Sequence, residues 1–373
     1  MRIRLLAPIA ALLSLPVLAA AQTVELSRPA ARFDEPFSFI RGVRELRDGR
    51  VLVADYIEDR VALVDLARGT SVDVLTEGGG PRSVRLPMNI VPLGDSSVVV
   101  DYGNSRVVVH DPAGQPVRAA VVERPGRLFV RGLARDGAWL YAVPAWAEGP
   151  DALADDSVRV VRWRQGAGNE QTVFVMQGNR FRKDRSPAMQ PRIPTVGYAG
   201  QDAWAVADGG AVWVVRHSPF RVERLLPDGQ WRRGPIVTRP LRAVTADDKR
   251  RFVIEFSAAS PTSGRGADGG MGRGPTPDAR EIARLVETTE WAPTHPSFDA
   301  AGVFTAPQER LWVRRAPEPG RPAIYDEFDG EGQPLRAVRL PVGERVVAVT
   351  ARGVYAVREN DDGEQFLLRY ALP

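Results

Sequence analysis

Carboxylates, arginines and amides are what this chain can do chemistry with, because it has no cysteine and three histidines. His110, His217 and His295 show no paired ligand spacing, so a zinc site would have to be assembled from distant segments. No Gly-x-Ser-x-Gly turn is present to expose a nucleophilic serine, and Gly94-Asp95-Ser96-Ser97 reads as a hairpin turn. Asp55 and Asp101 occupy equivalent places in two similar segments. Carboxylates that recur with a repeat are read as part of how each repeat is built rather than as an acid–base pair. The candidate ligand-binding set lies elsewhere. Arg41, Arg131 and Arg345 each stand near the start of an apolar alternating strand, and Asn89 holds the corresponding place in the second repeat. Three cations converging on one opening would repel a metal ion and select an anion. Trp146, in the acidic loop from Pro144 to Asp156, is the candidate aromatic contact. No residue is assigned as catalytic and no cofactor is expected from these residues.

The elements that must position these side chains are strands in a repeat. Asp48-Gly49 turns into Val51-Leu52-Val53-Ala54-Asp55, and Arg60 to Asp65 follows after a short loop. The pattern returns as Val98-Val99-Val100-Asp101 and then Arg106 to Asp111, with Asp55 and Asp101 46 residues apart. That period suits one four-stranded propeller blade. Looser copies follow around Trp139, Trp213, Trp312 and Tyr355, each a turn, a β-branched or aromatic strand, a polar loop and a second strand. Six copies leave one strand missing, since the last copy has three. Thr23-Val24-Glu25-Leu26 alternates as a strand should and has no hairpin partner, so it is expected to close the ring on the last blade.

The run Asp101-Tyr102-Gly103-Asn104-Ser105-Arg106-Val107-Val108-Val109-His110-Asp111 resembles the NHL-repeat, TolB-like type of six-bladed β-propeller, and Gly49 to Asp65 shares the likeness. The other copies lack the Asn-Arg-Val core. The resemblance implies an all-β, six-bladed propeller with a central channel. It also raises a second possibility, because lactonases of the gluconolactonase kind hold a calcium in that channel through carboxylate and asparagine oxygens. Asn89 would serve as a ligand in that case, whereas Arg41, Arg131 and Arg345 stand where further ligands would be needed.

Two segments interrupt the repeat. Gln177 to Gln201 is a basic, proline-bearing crossing, and 238–297 is an insertion between the fourth and fifth copies. Within the insertion, Thr245-Ala246-Asp247-Asp248 predicts one helix start and Thr276-Pro277-Asp278-Ala279 a second. The Gly- and Ser-rich stretch between them, 260–276, is predicted to be flexible. At the other end of the chain, Arg2 and Arg4, an apolar run from Leu5 to Leu18 and Ala19-Ala20-Ala21 form a Sec-type signal peptide, 1–21, with cleavage after Ala21. The run falls short of the roughly 20 residues a membrane span requires and contains Pro8 and Pro16. The propeller is therefore expected over 22–373, in the periplasm or outside the cell. Formal net charge is +4 and falls to +2 without Arg2 and Arg4, and the arginines are scattered, so no nucleic-acid partner is expected. The resulting expectation is a monomeric, non-enzymatic binding or scaffold propeller that holds a small anionic ligand, peptide or partner protein on its loop face. The alternative is a calcium-dependent hydrolase or lactonase with its site at the channel mouth.

Overall fold

In the computed structural model, residues 22–121, 128–133, 140–144, 157–164, 167–178, 196–259 and 277–373 are described. Residues 1–21, read above as a signal peptide, Trp146 and the stretch 260–276, expected to be flexible, lie outside them. The chain is an all-β propeller with two helices among the described residues. Its strands pair into six sheets of four or five strands and one two-stranded ribbon.

The inner strands of the six sheets are Ile40–Glu45, Pro87–Leu93, Leu128–Leu133, Ala203–Val206, Phe298–Ala306 and Glu344–Thr350. Each neighbours the next, and the last neighbours the first, so they enclose a channel. The second strand of each sheet lies between two adjacent sheets and must be apolar on both faces. Val51–Asp55 and Ser96–Asp101 are buried almost throughout for this reason. The hydrophobic core is accordingly not central. It is divided into wedges between neighbouring sheets, such as Val51, Val53, Tyr355 and Val357 between the sixth and first, or Trp213, Phe220, Phe298 and Phe328 between the fourth and fifth.

One turn chemistry recurs at the outer hairpins. Asp111 Oδ1 accepts from the amides of Ala113 and Gln115, and Asp329 Oδ1 from those of Glu331 and Gln333. Asn360 Oδ1 does the same for Asp362 and Glu364. In each turn the fourth residue is a glycine at positive φ, a backbone setting that favours glycine over residues with a Cβ.

The N-terminal strand does not go where its pattern suggested. Thr23–Glu25 adds in parallel to the outer strand Pro334–Arg339 of the fifth sheet, with Glu25 paired to Arg339 at 2.9 Å. Ala31–Arg32 instead pairs antiparallel with Gln365–Tyr370 of the sixth sheet. Buried Phe33 and Phe37 lock that edge, and the amide of Phe33 reaches Leu367 O at 2.9 Å. Alternation marked Thr23–Leu26 as a strand without marking its partner. The two aromatic anchors that fix the sixth sheet lie further along.

The insertion forms α1 (Ala246–Ala259) and α2 (Ala279–Thr288). Thr245 and Asp248 cap α1 reciprocally: the Thr245 amide donates to Asp248 Oδ2 at 2.9 Å, and the Asp248 amide donates to Thr245 Oγ1 at 3.2 Å. Asp278 caps α2 by accepting from the Glu281 amide at 2.8 Å. Asp248 is buried and also meets Arg242 at 2.7 Å and His295 at 3.2 Å. Burial opposes its ionisation, but the Thr245, Arg242 and His295 contacts prevail and hold its carboxyl well below the usual range. Val196–Gly197, at the end of the basic crossing, pairs with Glu290–Trp291 and ties the crossing to the insertion. No helix among the described residues is long and apolar enough to cross a membrane.

Candidate functional site at the channel mouth

The inner strands carry bulges, which turn side chains that regular pleating would bury toward the channel. The first sheet breaks register between Ile40 and Gly42, the second between Pro87 and Ile90, and the fifth between Phe298 and Val303. Gly42 permits the first two inner strands to approach: a Cβ there would lie 2.8 Å from the Ile90 amide nitrogen and 3.1 Å from Met88 O. The channel cavity measures about 1300 Å³, is open to solvent, and is lined by residues of the first, second, fourth, fifth and sixth sheets.

Arg41 and Arg345 both line this cavity, as does Asn89. Arg41 rests on two rings, its Cζ 5.1 Å from the Phe39 centroid and 5.4 Å from that of Tyr56. Among the described residues its guanidinium has no carboxylate partner. Arg345 lies 5.8 Å from the same Phe39 ring and is fixed from behind. Its Nη2 donates to Gln365 Oε1 at 3.1 Å and to Ile40 O at 3.3 Å. Gln365 is fully buried, accepts from the Ile40 amide at 2.8 Å and donates to Glu359 at 3.0 Å, so its orientation is determined.

A third arginine, not marked by sequence, joins them. Arg314 stands on the second strand of the fifth sheet, opposite the bulge, and passes over Gly302, where any Cβ would sit 2.3 Å from its own Cβ. It lines the cavity and meets Asp299 at 3.3 Å. A glycine inside a strand pattern marks such close approaches, and that was the available signal. Burial lowers the basicity of Arg41, with Tyr56 opposing. Burial likewise lowers that of Arg345, opposed by Tyr325 and reinforced by Arg41 and Arg314. Both remain charged, since guanidinium is not deprotonated in proteins, so the mouth holds positive charge, with Arg41 exposed and Arg345 half-buried.

Arg131 lies on the inner strand of the third sheet, and its side chain is outside the described set. Trp146 is likewise outside. Asp55 and Asp101 do not face the channel. Asp55 accepts from the amides of Ser38 and Phe39 at 2.9 and 3.0 Å. Asp101 accepts from the Arg85 amide at 2.8 Å and pairs with Arg106 at 2.6 Å. Each ties the loop leading into an inner strand to the end of the second strand. Asp202 does the same work in the fourth sheet, accepting from the Gln177 and His217 amides and from Arg216. No group of three or more His, Asp or Glu side chains is poised to hold a metal among the described residues.

Fold and site together define a propeller with a cationic channel mouth. No protein-family model matches the chain, and no curated protein matches it. Solved structures that it resembles include regucalcin, a calcium-binding protein of Agrobacterium tumefaciens, at 12% identity and TM-score 0.47, covering 95% of this chain and 97% of that one. A gluconolactonase of Xanthomonas campestris is 12% identical, with TM-score 0.45 over 91% and 92% of the two chains. Virginiamycin B lyase of Staphylococcus aureus is 8% identical, with TM-score 0.41 over 91% and 99%. Likeness at this level concerns the fold, and no residue role is transferred from it.

Proposed function

We propose that this chain is an exported, six-bladed propeller of the NHL-like type that binds a small anionic ligand at the channel mouth through Arg41 and Arg345. On this reading Arg131, Asn89 and Trp146 are further candidate contacts of the ligand. The observation that carries the proposal is the Arg41 guanidinium, which has no carboxylate partner among the described residues and lines the cavity near Arg345. A cation placed for stability would be expected beside a carboxylate. One held next to another cation lowers stability until an anion arrives. Two guanidinium groups also present the planar donor forks that carboxylates and phosphates match.

Titration calorimetry and thermal shift with sulfate and succinate test this reading. Wild-type protein should bind and be stabilised. Arg41→Ala and Arg345→Ala should each lower affinity about 10- to 100-fold, the loss of one or two charge-assisted hydrogen bonds. Arg41→Ala should fold at least as stably as wild type, since it relieves repulsion. Absence of any anion response, or a response indifferent to both substitutions, refutes the proposal.

A further inference from the structure

Resting on the anion reading above, we propose that the ligand is an elongated amphiphile, with one anionic head at Arg41 and Arg345 and an unbranched hydrocarbon body lying down the channel. The cavity does not end at the arginines. It continues past them along the inner strands to the hairpin turns at their far ends, where Arg47, Asp95 and Glu309 line it. A sulfate-sized anion would occupy a small part of about 1300 Å³.

Between the two ends, Arg44, Glu45 and the Arg314–Asp299 pair share the wall with an apolar stretch. Met88, Ala205, Val303, Val347 and Ala348 line the cavity and are half-buried, packed against the wedges behind them. The last three come from neighbouring inner strands, so the apolar wall continues around that side of the channel. A hydrophilic ligand would leave this surface wetted, whereas an alkyl chain would cover it.

Direction along the channel follows from where charge is unbalanced. At the far end the charges neutralise one another: Arg47 meets Asp95 at 2.5 Å, and Arg224 grips Glu309 through two bonds of 2.7 and 2.9 Å. Those arginines are already engaged and offer an anion little. At the mouth, Arg41 has no carboxylate partner among the described residues. The head group therefore belongs at the mouth, and the tail points toward the paired turns.

The test is calorimetry of a homologous series of n-alkyl carboxylates, from about two to about twelve carbons and below their aggregation limits, with alkyltrimethylammonium ions of matched length as controls. Affinity should rise about fourfold per methylene, the fold-change for burying one CH₂, until the tail reaches the charged turns, and then level off. Arg41→Ala should lower all carboxylates by a common factor. Val303→Ser, checked for a native melting transition, should flatten the slope. If short carboxylates bind through Arg41 but affinity does not grow with length, the amphiphile is refuted and the anion site stands. If no carboxylate binds, both fall. Ammonium ions binding as tightly as carboxylates would also overturn the proposal, because the head group would then play no part.

Discussion

Replacing Asp202 by asparagine measures how much one carboxylate contributes to holding an inner strand in place. Asp202 Oδ2 accepts from the Gln177 amide at 3.1 Å and Arg216 Nη1 at 2.9 Å, while Oδ1 accepts from the His217 amide at 2.9 Å. Burial raises its pKa, but the bonds from His217, Arg216 and Gln177 prevail and leave it at about 2. Relative to the ordinary value of 3.8, that is just under two pH units, or about 2–3 kcal/mol of stability at neutral pH. Asparagine keeps one acceptor and turns an NH₂ toward donors, so it forfeits this term. The sign is fixed by the downward shift. The contribution is fully present above the unfolded-state pKa near 4 and disappears as pH falls through about 2. Urea unfolding followed by tryptophan fluorescence should show Asp202→Asn less stable by about 2–3 kcal/mol near pH 7, with the gap to wild type closing as acid is added. A gap that stays the same near pH 2 would refute the argument, because the loss would then come from shape or hydrogen bonding without charge.

Gly42→Ala forces a Cβ against the backbone of Met88 and Ile90, so it should cost about 1–3 kcal/mol in chemical denaturation and weaken succinate binding at the adjacent Arg41. At the far end of the channel, Gln308 and Glu309 both adopt positive φ, at 60° and 56°, in a turn where glycine would be unstrained. Gln308→Gly should therefore raise the melting temperature, by about 0.5–1 kcal/mol in stability terms, and a lowered melting temperature would contradict the strain assignment.

The strands and their turns were legible because each carries its signal locally. Val51 to Asp55 and Val98 to Asp101 are apolar runs with a terminal aspartate, and Asp111 to Gln115 contains its own turn chemistry. The helix starts at Thr245 and Asp278 were legible for the same reason, since a cap involves neighbours in sequence. Partner choice was not. Thr23–Leu26 reads as a strand whichever edge it joins, and its placement on the fifth sheet depends on Arg339 and Ala337, more than 300 residues away. That Arg41, Asn89 and Arg345 line one cavity could be anticipated because the repeat puts inner-strand starts around a common axis. Arg314 was missed because it reaches the channel from a second strand, across a bulge that alternation does not reveal. The contacts of Arg345 and Gln365 with Ile40 likewise needed the closed ring, since they join the sixth sheet to the first.

The attachment of the first strands to the last sheets has a kinetic side. Ala31–Arg32 and Phe33 find their partners at Leu367 to Arg369, and Thr23–Glu25 finds its own at Ala337 to Arg339. While the chain is being made, these early segments wait for nearly everything else to emerge. Ring closure is a contact of very high sequence separation and is expected to come late and slowly. On the proposal that the chain is exported, this delay is an advantage. The intermediate sheets can remain open during transit, and the step that locks the molecule needs both ends on the same side of the membrane.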